Sequence, residues 1–244
     1  MNELIEKWIK VYLKSYINLV LYHRNVYPSI TFELTTYQAF TLPKFIPINR
    51  HQGLQQYIEE LINDVLSKLI HIFKVSIGII DKENNVCIEK YVLDFGEFQH
   101  LDDISSLTEM DVYNEFRSSL NCLITQLEDM PQVKDDTVAF QVFINTVEYN
   151  PLATIESIER VSNEDIKNTF DRAANWTKCE EHEYIENLHE NNGQPKVKLI
   201  SLIGCDIGPF VIYNYIEQLM IKDMNHVYST LNSNKDGTSS MGSI

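Results

Sequence analysis

Between Gly53 and Leu69, apolar side chains recur at Leu54, Tyr57, Ile58, Leu61, Ile62, Val65, Leu66 and Leu69, while Gln55, Gln56, Glu59, Glu60, Asn63 and Lys68 supply the opposite face. Spacing of i, i+3, i+4, i+7 draws one apolar stripe along an α-helix, and such a stripe must be covered by another layer. That layer follows at once. Lys74–Ile80 (KVSIGII) is a β-rich run, Asp81–Asn85 carries turn residues, and Val86–Phe95 (VCIEKYVLDF) is a second extended run. Two β-rich runs around turn chemistry predict a hairpin, and a helix laid on a hairpin sets the class as α+β.

From Leu4 to Tyr22 apolar residues fill more than one helical face, which predicts a central helix covered on several sides. Lys7, Lys10, Lys14, His23 and Arg24 punctuate it, so it is expected to be a core helix of an intracellular protein and not a signal or membrane span. Tyr27-Pro28 stops it. Ser29–Pro47, rich in Thr, Phe and Pro, is expected to be an irregular extended connection. A third helix is predicted from Asp111, with Val112, Phe116, Leu120, Leu123, Ile124 and Leu127 on one stripe and Met130-Pro131 at its end. Thr137–Val147 is a third strand; Lys196–Ile203 and Phe210–Met220 are two more, around a turn at Gly204–Pro209. The expected architecture is three helices packed on one face of a mainly antiparallel sheet. It forms one domain over 1–228, with a core at 1–147, an acidic segment and closing strands at 148–220, and a flexible tail at 229–244.

Chemistry enters mostly by exclusion. A formal net charge of -15, from 20 basic and 35 acidic side chains, disfavours direct DNA binding, because phosphate neutralisation needs clustered Lys and Arg. Only eight glycines are present, and no phosphate-cradling loop, nucleophile elbow or zinc-protease helix signature is found. Cys87, Cys122, Cys179 and Cys205 sit in no paired spacing and are expected to be reduced thiols. Cys179 and His182 have a metal-like gap, but no second pair stands nearby. Asp102-Asp103 and Asp135-Asp136 fit either a divalent cation and acid–base work or ordinary caps and turns, and the second suits their places ahead of helix or strand. His51, just ahead of the second helix, is expected to be a cap and not a base. No catalytic residue, cofactor or metal is therefore assigned. Trp176, isolated in an acidic polar run, either staples that run to the domain or inserts beside a bound partner.

LYHRNVYPSITFE, INRHQGLQQYIEELINDVLSKL with the hairpin after it, EFRSSLNCLITQL and LISLIGCDIGP together resemble HORMA domains, and among them the fungal accessory subunits of the translesion DNA polymerase zeta. The resemblance implies a C-terminal safety belt, here Glu148–Met220, that wraps over an extended peptide and re-pairs with the sheet, so that the peptide adds a strand to a sheet edge. It implies peptide-contacting roles for Lys44, Phe45 and Trp176, and a contact between two HORMA domains through Arg117, which would otherwise read as a helix-surface ion-pair residue. Leu199, Ile200, Leu202 and Tyr213 are similar to the surface that receives the deoxycytidyl-transferase scaffold polymerase, although the chain departs from the animal form by extra residues around Gly208-Pro209. Expected partners are thus the catalytic subunit of polymerase zeta, that scaffold polymerase and a second HORMA subunit, with DNA touched only indirectly, no membrane, and residence in the nucleus or also the mitochondrion. Two alternatives remain: a spindle-checkpoint or meiotic-axis HORMA adaptor taking other peptides, and a metal-dependent hydrolase built on the Asp pairs.

Overall fold

The computed structural model describes residues 3–35, 45–98, 108–146, 176–177, 196–207, 210–220 and 224–229. In chain order these form α1 (Glu3–His23), β1 (Phe32–Thr35), β2 (Ile46–Asn49), α2 (Gln52–Ser67), β3 (Ile72–Asp81), β4 (Val86–Phe98), α3 (Glu109–Asp129), β5 (Val138–Thr146), β6 (Lys196–Asp206) and β7 (Phe210–Met220).

One five-stranded sheet, in the order β5-β3-β4-β7-β6 with every neighbour antiparallel, carries the helices on one face. Register and alternation decide which side chains meet them. Ile77 stands opposite Tyr91 and Tyr91 opposite Ile216; Val75 stands opposite Leu93 and Leu93 opposite Asn214. These residues lie under Leu13, Tyr16 and Ile17 of α1 and Leu61, Ile62 and Val65 of α2. α1 is buried along several faces, as its crowded apolar pattern requires: Ile9, Tyr12, Tyr16, Leu19, Val20 and Leu21 have no exposed surface. Tyr12 stacks on Phe116 of α3 with ring centroids 4.6 Å apart. Among the described residues no helix is long and apolar enough to cross a membrane.

Helix ends follow from local chemistry. His51 caps α2, its Nδ1 accepting the Leu54 N–H at 3.3 Å. Thr108 and Asp111 form a reciprocal capping box on α3, two residues earlier than the apolar stripe suggests. α1 closes at Asn25, whose φ of 52° is tolerated because Asn visits the left-handed region at small cost.

Two expectations are corrected. Ser29–Pro47 is not wholly irregular: β1 and β2 pair antiparallel, Phe32 opposite Asn49 to Thr35 opposite Ile46, because Phe32 and Ile46 bury beside α1 and leave extended backbone to pair. Gly204 is no turn residue either. β6 runs through to Asp206, with an irregularity between Leu202 and Cys205, and a Cβ at Gly204 would stand 2.2 Å from the Ile212 carbonyl oxygen. Glycine permits that close approach of two backbones. The expected belt between Glu148 and Pro195, Trp176 and Thr177 apart, lies outside the described residues, as does the expected tail beyond Ser229.

Candidate functional site: an aromatic-lined sheet edge

β5 pairs with β3 along one side, and among the described residues no strand pairs with the other. Such an edge presents backbone N–H and C=O groups that a foreign extended chain can complete. What stands beside it is aromatic. Phe140 of β5 meets Tyr27, just past the end of α1, at a centroid distance of 6.2 Å, and Tyr57 of α2 at 6.0 Å, both edge-on. Phe140, Val142 and Ile144 alternate along the helix-facing side of β5 and are only partly buried.

α2 supplies a wall by periodicity. Positions 57, 61 and 64 follow i, i+4, i+7 and share one flank. Leu61 packs with Val142 around a small apolar cavity, so this flank lies along β5. Tyr57 remains 44% exposed although the stripe predicted burial, because β5 is the last strand and nothing described lies beyond it. Asp64 accepts a hydrogen bond from the Trp176 indole N–H and another from Lys68. Half-buried Trp176, which packs against the core, is therefore pinned to the same helix flank as Tyr57.

The electrostatics keep this slot neutral at its aromatic positions. Burial pushes the Tyr27 phenol above its ordinary value, with the Lys82 ammonium pulling the other way. Tyr57 is raised by burial and by its neighbour Tyr27. Both stay protonated and available as hydrogen-bond donors near pH 7. Two phenols, a phenyl ring and an indole beside an extended strand suit compact apolar side chains, which pack on ring faces and lack donors of their own.

Of the residues expected from sequence, Trp176 reaches this place. Lys44 lies outside the described residues, and Phe45, 55% exposed, immediately precedes β2. Arg117 is exposed on α3, and among the described residues no ion pair engages its guanidinium. The four second-partner residues do not share a face. Leu199 pairs with Glu217 on the side away from the helices, where Tyr213 also stands, whereas Ile200 opposite Ile216 and Leu202 opposite Asn214 turn toward the helices. The exposed companions of Leu199 and Tyr213 on that outer face are Val197 and Ile203. Tyr27, Tyr57, Phe140 and Asp64 were not anticipated; the one signal was a tyrosine within an otherwise aliphatic stripe.

The described acids act structurally. Asp135 accepts from the Asn25 side chain, and Asp136, at φ 58°, pairs with Lys82 in the turn before β5. Among the described residues no group of three His, Cys, Asp or Glu side chains could hold a metal ion, while Asp102, Asp103, Cys179 and His182 lie outside them.

Four similarities bear on this geometry. The family pattern for the HORMA domain matches residues 6–151. The DNA polymerase zeta processivity subunit of Saccharomyces cerevisiae is 51% identical over 250 residues, spanning all of both chains. A chain in the crystal structure of the mitotic checkpoint complex superposes with a TM-score of 0.61 at 12% identity, over 87% of this chain and 97% of that one. Caenorhabditis elegans HTP-2 bound to the HIM-3 closure motif superposes at 0.54 with 10% identity, over 86% and 88%. At those identities the structures speak for the fold alone.

Proposed function

The chain belongs to the HORMA domain family, and from that premise we propose that it is the non-catalytic accessory subunit of a DNA polymerase zeta, clasping an extended peptide of the catalytic subunit along the outer side of β5. Full-length identity of 51% to a processivity subunit supports the assignment to polymerase zeta over a checkpoint or meiotic-axis adaptor, whose likeness is limited to the fold. The clasp reading is carried by one observation: Tyr27 and Tyr57 meet Phe140 on the side of β5 away from β4, where no described strand pairs, with Trp176 pinned beside them through Asp64. That HTP-2 of the same fold is bound to the HIM-3 closure motif supports capture of a partner segment. The peptide gains main-chain hydrogen bonds from β5 and side-chain contact from the rings, Trp176 among them.

In this role the subunit works in translesion synthesis and damage-induced mutagenesis, in the nucleus and also in the mitochondrion, and meets DNA only through its partners. Leu199 and Tyr213, with Val197 and Ile203, form the surface for a second translesion polymerase, and Arg117 serves a contact between two HORMA subunits. The test is the affinity of the full chain for a proline-containing peptide from the catalytic subunit. Tyr57→Ala and Trp176→Ala should each weaken binding roughly tenfold or more, as buried aromatic anchors do, with unchanged circular dichroism. Wild-type affinity in both variants would remove the β5 edge as the site.

A further inference from the structure

Beyond β7, the short segment Met224–Ser229 folds back onto the core. Its backbone pairs with the stretch leading into β5: the Lys134 N–H donates to the Val227 carbonyl and the Ser229 N–H to the Gln132 carbonyl, both at 2.8 Å. Val227 has no exposed surface. Tyr228 points inward, and its hydroxyl donates to Glu89 Oε1 at 2.8 Å. Glu89 is a β4 carboxylate with 1% exposure, held also by the Tyr91 hydroxyl at 2.7 Å and by the fully buried Arg24 guanidinium at 3.5 Å. Arg24 in turn donates to the Leu127 and Pro131 carbonyls at the end of α3. An ion pair buried this deeply tolerates little water, and its geometry depends on every donor around it.

The same phenol reaches β7. Gln218 of β7 hydrogen-bonds Tyr228, and Gln218 is the β7 residue that stands opposite Glu89. From Met220 to Met224 is four residues, which span at most about 14 Å, so the segment stays close to the end of β7, and β7 must give up the Gln218–Tyr228 bond before it leaves β4. We infer that Met224–Ser229 is a latch, distinct from the segment around Trp176, that keeps β7 seated on β4 by closing Tyr228 over the buried Glu89–Arg24 pair. The latch goes beyond the clasp and stands without it, since none of its contacts involves the β5 edge or its rings.

Amide hydrogen exchange on the full chain without peptide tests it. Tyr228→Phe removes one hydroxyl that bonds a charged acceptor and leaves the ring in place, so the amides of Val211–Met220 should exchange about tenfold faster or more. Those of Ile77 and Ile79 in central β3 should keep their wild-type rates. Val227→Ala, which removes apolar contact and touches none of the polar groups, should show the same selectivity. Unchanged β7 exchange in both variants overturns the latch. An equal acceleration of β3 and β7 overturns it too, by making Tyr228 a contributor to global stability alone. Failure of the clasp would appear separately, as absent peptide binding by a wild-type chain whose β7 exchange still responds to Tyr228.

Discussion

Single buried polar groups decide how the closing strands sit. Asn214 of β7 accepts the Tyr16 hydroxyl at 2.9 Å and donates to Ser119 at 3.3 Å, and Ser119 also meets Tyr12 at 2.9 Å. Burial drives both tyrosines well above their ordinary pKa, so they enter this network as neutral hydroxyls. A one-residue slip of β7 would turn Asn214 to the outer face and leave those hydroxyls without their partner in an apolar layer. Asn214→Leu should therefore cost about 1–3 kcal/mol, measured by urea unfolding; an unchanged midpoint would show that the network does not hold the register. Asp81 makes a pH prediction. Burial opposes its ionisation, but hydrogen bonds from His226 and Asn84 and the Glu83 N–H outweigh that and hold its carboxyl below the ordinary value. A lowered carboxylate pKa contributes stability that is present above about pH 4 and lost as pH falls through the folded value. His226, 2.8 Å from Asp81, should thus be released in acid, and Asp81→Asn should flatten the pH dependence of amide exchange in Met224–Ser229 below pH 4. Burial also pushes the Cys205 thiol up to about 12 and Cys87 to about 11, so both stay protonated and unreactive.

Elements are set by their ends and close approaches as much as by their stripes. The capping box at Thr108 fixes where α3 begins. Thr108→Ala should destabilise the chain by about 1 kcal/mol, read from the thermal midpoint, and a change within error would make the box incidental. At Gly204 the limit is steric. The Ile212 carbonyl would lie 2.2 Å from an added Cβ, and backbone cannot rotate away as a side chain can. Gly204→Ala should push β6 from β7 and cost about 1–3 kcal/mol, with chemical-shift changes confined to the two strands; wild-type stability would mean that the irregularity relaxes freely.

At the scale of the molecule, strand order decides what is available. Among the described strands β5 is terminal, whereas β4 has β7 on its second side. If peptide release needs the closing strands to move, then Tyr228→Phe, remote from the rings, should speed dissociation of a bound peptide severalfold and leave association unchanged. Equal dissociation rates by competition would uncouple the latch from the clasp. Much of this fold was legible beforehand. The helix stripes, the β3–β4 hairpin and the endpoints of β7 follow from periodicity, because a 3.6- or 2-residue repeat records which face is covered. The chain also fixed its charge, the lack of a recognised catalytic signature, and Trp176 as an isolated ring needing cover. Only tertiary structure decided that β5 lies at an edge, that Tyr27, Tyr57 and Phe140 meet there, that Ile200 and Leu202 turn from Leu199, and that Tyr228 closes on Glu89. Those facts join residues far apart in sequence, and a local pattern reports the burial of one face without naming the distant partner that covers it.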